Sequence, residues 1–167
     1  AGGRAASSAP VAATRAADGI SLQNITGAAI AVTGARTRDA SASNTTAFNA
    51  AGGGTVTATG SGSAINSGAG IALNVANTTI GAAGLTFRSI SSSGATSGIT
   101  VSTTGTSGGL TISGAGSAGS GGTILNSTTD GVVLTSTDSP SLNWLNITDS
   151  AGSATDDGLV MTNITGT

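Results

Sequence analysis

Three Asp-Gly pairs, at Asp18, Asp130 and Asp157, and one acidic doublet, Asp156-Asp157, are where acid–base or cation chemistry would have to start in this chain. Clustered carboxylates can pass a proton to a glycosidic oxygen or hold calcium, and a neighbouring Arg would bind an acidic sugar. Arg88, in "LTFRSI", is the Arg that falls within a strand-like run. The rest of the catalytic inventory is bare: the sequence has no His, Cys, Tyr, Lys or Glu. That removes the commonest general base, the thiol nucleophile and the Schiff-base lysine together. Ser is abundant, but only Asp could activate it. The Ser-rich stretches therefore read as solvent-facing strand and corner residues, and the Asp residues as turn and cap residues. No catalytic set, metal site or cofactor is expected. The calcium-binding nonapeptide solenoid needs an Asp that "GAGSAGSGGT" lacks. If the Asp-Gly aspartates stack at one corner, a cation or an Asp side chain accepting a backbone N–H would relieve their repulsion.

Other polar patterns are weaker. Asn-x-Ser/Thr occurs at Asn24, Asn44, Asn77, Asn126, Asn146 and Asn163, but about a third of the chain is Ser or Thr, and Asn suits a corner at the end of a strand. The Thr-x-Thr of "TVTATG" invites an ice-binding reading, which would need Thr at the same outward position of successive coils. Trp144 and Phe87 read as core residues, with one face of Trp144 open to solvent in the alternative.

Composition narrows the fold. The chain has 167 residues, 7% charged and 2% aromatic, with a formal net charge of −2. One domain fits that length, but a core of large side chains does not fit that composition. Five Arg and no Lys form no basic patch, so nucleic-acid binding is not expected. No apolar run is long enough to cross a bilayer, so membrane insertion is not expected. Residues 1–17, "AGGRAASSAPVAATRAA", read as a linker or N-terminal arm, or as the start of a chain already processed, and residues 18–167 as a single domain.

A pattern of Gly, aliphatic, any residue, aliphatic recurs as "GISL" at Gly19, "GIAL" at Gly70, "GITV" at Gly98, "GVVL" at Gly131 and "GLVM" at Gly158, with separations of 51, 28, 33 and 27 residues. The first gap is nearly twice the others, so a degenerate copy is expected near "TAFNAAGGGT". Between these marks, apolar and small polar residues alternate in "TVTATG", "LTFRSI", "LTIS" and "LNWLNIT". Period two is the signature of a strand, and Gly, Ser, Asn and Asp close each run. About three short strands per repeat make one coil of a parallel β-solenoid, whose narrow interior is filled by one aliphatic side chain per strand. Loops are expected at Ser113–Gly122, at Asp149–Asp157 and at Gly34–Thr46.

The wording "GIALNVANTTIGAAGLTFRSISSSG", followed by "GGLTISG", "GGTILNSTTDGVVLTST" and "LNWLNIT", resembles the strand-repeat regions of large bacterial surface and secreted proteins, which are adhesin-like right-handed parallel β-helices. The resemblance covers Gly53–Thr167 well and Asp18–Gly34 moderately. The repeat spacing gives about five to six coils of roughly 25–33 residues, and the resemblance implies that they form an all-β, right-handed parallel β-helix located outside the cell or at its surface.

The expected function is a non-enzymatic structural module, a fibre, stalk or adhesive spacer. The segment "DGISLQNITG" at Asp18 returns as "DGLVMTNITG" at Asp157. Ile20, Leu22 and Ile25 then match Leu159, Met161 and Ile164, as if one coil strand stood at both ends of a stack. Those six residues are the candidate end-to-end stacking site, through head-to-tail self-association or continuation in a tandem array. The alternative is a carbohydrate-binding or polysaccharide-lyase-like β-helix with surface glycans as partners; ice binding is third.

Overall fold

The computed structural model describes residues 4–7, 13–14, 19–33, 37–41, 44–148 and 156–166. Among them there are eighteen strands and no helix. They form three six-stranded parallel sheets, each taking every third strand. The first sheet holds β1 (Arg4–Ser7), β4 (Ala29–Val32), β7 (Thr55–Ala58), β10 (Thr79–Phe87), β13 (Leu110–Ile112) and β16 (Ser141–Leu142). The second holds β2 (Ala13–Thr14), β5 (Thr37–Asp39), β8 (Ala64–Asn66), β11 (Ser89–Ser93), β14 (Thr123–Leu125) and β17 (Asn146–Thr148). The third holds β3 (Ile20–Gln23), β6 (Phe48–Ala51), β9 (Leu73–Ala76), β12 (Ile99–Ser102), β15 (Val132–Thr135) and β18 (Leu159–Thr162). The chain passes each face in turn, making a β-solenoid of about five turns. Within residues 1–17, β1 and β2 pair with β4 and β5.

The third sheet shows how so few large residues make a core. Its pairings align Ile20, Phe48, Leu73, Ile99, Val132 and Leu159 in one column. A second column runs Leu22, Ala50, Val75, Val101, Leu134 and Met161. Alternation sends both columns inward and leaves the residues between them partly exposed. From Phe48 to Leu134 every member of the two columns is buried. Each side chain thus packs on its counterparts in the adjacent coils, and no coil could bury its aliphatics alone. Phe48 and Phe87, both buried, meet edge to face with ring centroids 5.7 Å apart.

The missing repeat is present. Phe48 pairs with both Ile20 and Leu73, so "AFNA" is the degenerate copy, with Ala47 in the glycine's place. The repeat at Gly70 is displaced by two residues: Leu73, not Ile71, stands opposite Ile99. The true mark is Ala72-Leu73-Asn74-Val75, and period two hid the error because a shift of two preserves inward and outward faces. "LTFRSI" is two strands, β10 and β11, bent at Arg88, and "LNWLNIT" is β16 and β17, bent at Asn143–Leu145. The expected loop at Gly34–Thr46 includes a strand, β5.

One corner is nearly uniform. The residue following each strand of the third sheet has a left-handed backbone: Asn24 (φ 53°), Gly52 (88°), Asn77 (50°), Thr103 (53°), Ser136 (50°) and Asn163 (52°). Backbone bonds of 2.9–3.2 Å run from coil to coil here, the N–H of Asn24, Gly52, Asn77, Thr103 and Ser136 each donating to the residue that ends the strand above. Asn tolerates this conformation, whereas a β-branched Thr strains in it. Thr103→Asn is therefore expected to stabilise the fold by about 0.5–1 kcal/mol, raising Tm by roughly 1–4 °C in calorimetry. An unchanged or lower Tm would contradict the strain.

Candidate functional site

Among the described residues, the exposed large apolar side chains are Trp144, Leu159 and Met161, at 49%, 42% and 49%. Leu159 and Met161 continue columns whose preceding members, Val132 and Leu134, are fully buried. They are exposed because β18 is the last strand of its sheet, with β15 on one side and no strand on the other among the described residues. At the opposite end β3 has only β6 as a neighbour among the described residues, and Ile20 and Leu22 are half-buried. The six candidate residues thus lie at the two ends of one sheet and its corner: Ile20 and Leu22 on β3, Leu159 and Met161 on β18, and Ile25 and Ile164 one residue past the left-handed corner. At that last post the interior coils carry Gly53, Thr78, Thr104 and Thr137. There the buried hydroxyls of Thr104 and Thr137 share a hydrogen bond of 2.7 Å. Only the two end coils carry Ile.

The acidic and basic residues are dispersed over the corners. Asp130 and Asp157 meet between the second and third sheets, where the Asp157 N–H donates to Asp130 Oδ1 at 2.9 Å. This is the side-chain-to-backbone form of corner turn. Asp156 is half-buried beside this pair, and Asp18 lies outside the described residues. Asp138 accepts a bond from the Thr165 hydroxyl at a different corner. Arg88 is exposed at the third corner, between β10 and β11, so the fold separates it from the acidic doublet. Among the described residues, no group of three or more His, Cys, Asp or Glu is placed to hold a metal. Five of the six Asn-x-Ser/Thr asparagines, all but Asn146, have left-handed φ, a conformation Asn tolerates better than most residues, so corner geometry accounts for Asn at these positions without glycans.

Asp39, at the end of β5, accepts hydrogen bonds from the Ser41 hydroxyl and then its N–H. These hold its carboxyl below the ordinary value of 3.8. A depressed carboxylate adds stability above its unfolded pKa and loses it as pH falls through the folded value, so this turn loosens only in acid. An NMR titration is expected to place the Asp39 midpoint below 3.8, and Ser41→Ala to raise it. An unshifted midpoint in that variant would sink the assignment.

The outward columns mix residue types. On the third sheet one column reads Ser21, Asn49, Asn74, Thr100, Val133 and Val160. Asn74 Nδ2 donates to Asn49 Oδ1 at 2.7 Å. On the first sheet Ala29, Thr55 and Thr79 align, but the register then shifts between Ile80 and Leu85, at "GAAG", and the Thr column stops.

The sequence reads Trp144 as a core residue with one open face as the alternative, and the structure agrees with the alternative, setting it at the bend between β16 and β17, half-exposed, with φ 60°. The loop expected at Ser113–Gly122 is present beside it, between β13 and β14. The apolar pair Trp144-Leu145 is the sequence mark of that corner: the inward set steps by three from Leu142 to Leu145 and then resumes period two at Ile147. No family model, curated protein or solved structure matches this chain, so the roles of its open edge and its corners rest on their own geometry.

Proposed function

We propose that this chain is a non-enzymatic structural module that stacks end to end, building a fibre, stalk or adhesive spacer at a bacterial cell surface. The observation that carries this is the outer edge of β18, which has no neighbouring strand among the described residues and holds Leu159 and Met161 exposed at the end of two buried columns. A parallel strand laid on β18 with aliphatics at the same two positions would continue both columns. The chain's own β3 has that pattern, with Ile20 over Leu159 and Leu22 over Met161, and Ile25 would follow over Ile164. Stacking of β18 on β3 of a second copy is a heterologous contact, which propagates into a filament rather than closing on itself. Exposed parallel edges invite such pairing. Small side chains, absent Lys and the resemblance to strand-repeat surface proteins support the extracellular placement.

Sedimentation velocity and electron microscopy of the 167-residue chain across a concentration series test this. Rods that lengthen with concentration at constant width are expected. A single monomeric species at every concentration would overturn the proposal.

A further inference from the structure

We infer that the corner around Trp144 is a binding subsite for a neutral pyranose sugar. The backbone first marks the place. One coil earlier the same corner is occupied by Gly114, with φ 62°, and the Asn143 N–H donating to the Ile112 carbonyl at 2.9 Å keeps the two coils in step. Glycine adopts that conformation without cost, whereas an L side chain gives up about 1–2 kcal/mol. A Trp held at φ 60° is a strained choice on a lateral corner that contributes little to the core. Strain of this kind collects where a side chain must be presented in one orientation.

The surroundings make a shaped site of it. A Cβ added at Gly114 would lie 2.7 Å from Trp144 Cδ1, so the side chain lies directly on a glycine of the coil below. Its contact is with the coil below, on the side away from the open end of the stack. The Ser113–Gly122 insertion forms the facing wall. Its tip is tied by Ser120 Oγ, which accepts from the Ala115 N–H at 2.8 Å and donates to the Ser117 carbonyl at 2.6 Å. The Gly121 N–H donates to the Trp144 carbonyl at 3.0 Å and joins wall to platform. Between them is a cleft of about 350 Å³ lined by Ala118, Gly119, Trp144, Leu145 and Asn146. That is the lower end of the range for small-molecule sites, and it has the usual make-up of an apolar floor with few polar groups.

The chemistry selects the ligand class. An exposed indole face suits the flat C–H face of a pyranose ring, and the exposed Asn146 amide can both donate to and accept from sugar hydroxyls. No charged residue lines the cleft, so nothing there would balance a uronic acid or a sulfated sugar.

Trp144 is the chain's only Trp and there is no Tyr, so its emission reports this corner alone. The chain would be titrated with cellotetraose, maltotetraose and mannotetraose, and with tetragalacturonic acid for comparison. A saturable emission change with at least one neutral tetramer is expected, with half-saturation near about 1 mM, and a weaker or absent response to the charged one. Trp144→Gly suits the left-handed corner and is expected to keep or raise Tm while abolishing calorimetric binding. Asn146→Ala keeps the fluorophore and is expected to weaken binding by roughly 5–10-fold, the loss of about one hydrogen bond. Silence with all three neutral tetramers, equal binding of the charged one, or undiminished binding by a folded Trp144→Gly chain would each overturn the inference.

Discussion

Leu159→Lys combined with Met161→Lys is expected to leave the monomer folded and lower its end-on association constant at least about 100-fold. The two side chains are 42% and 49% exposed in the single chain, so charging them costs the isolated fold little. In a stacked pair they would lie under Ile20 and Leu22 of the next copy, and two ammonium groups would have to be buried there without partners. Loss of the apolar contact alone is worth about 3 kcal/mol or more for two such side chains. Sedimentation should show a monomer at concentrations where the parent chain forms rods, with Tm unchanged at low concentration. Rods from the double variant would mean that the contact lies elsewhere.

Ile99→Ala is expected to cost about 2–5 kcal/mol, lowering Tm by on the order of 10 °C. Ile99 is fully buried between Leu73 and Val132, and each neighbour is itself held in place by the column. Backbone hydrogen bonds to both adjacent strands prevent the column from collapsing over the gap, so the cavity stays open. In a stack stabilised by nearest-neighbour contacts, the damage should spread toward the nearer free end. Hydrogen exchange should show β15 and β18 losing protection before β6. Uniform loss across all three sheets would show a single cooperative unit instead, and a change under 1 kcal/mol would mean that the interior repacks freely.

Phe48 and Arg88 show what could be read from the residues and what could not. The repeat at Phe48 was legible without its glycine, because the gap between marks was twice too long and a solenoid cannot skip a coil. The fold class followed from period-two runs closed by Gly and Asn, which is a strictly local signal. The register at Leu73 was not legible, because inward and outward faces are unchanged by a two-residue slip and only pairing with Phe48 and Ile99 fixes it. The corners inside "LTFRSI" and "LNWLNIT" did leave a mark, since the inward set steps by three from Phe87 to Ile90 and from Leu142 to Leu145 across the exposed Arg88 and Trp144, but each run was short enough to read as one strand. Of the candidate stacking residues, the repeated segment revealed the likeness of Ile20, Leu22 and Ile25 to Leu159, Met161 and Ile164. That they sit at opposite ends of one sheet required the strand order. The strain at Trp144 had no sequence signal, since Trp gives no warning of a left-handed backbone.

The register of the contact between copies can be trapped covalently. Continuing the third sheet from β18 onto β3 of a second copy sets Thr162 beside Gln23, both exposed and outward-facing. Adjacent strands run about 4.8 Å apart, within the range a disulfide can span. The chain has no Cys, so Gln23→Cys with Thr162→Cys introduces the sole pair of thiols. Mild oxidation of that double variant should give a regular ladder of covalent multimers on a non-reducing gel, collapsing to monomer on reduction, while each single variant stops at dimer. A double variant that also stops at dimer, at concentrations where rods are seen, would contradict stacking of β18 on β3.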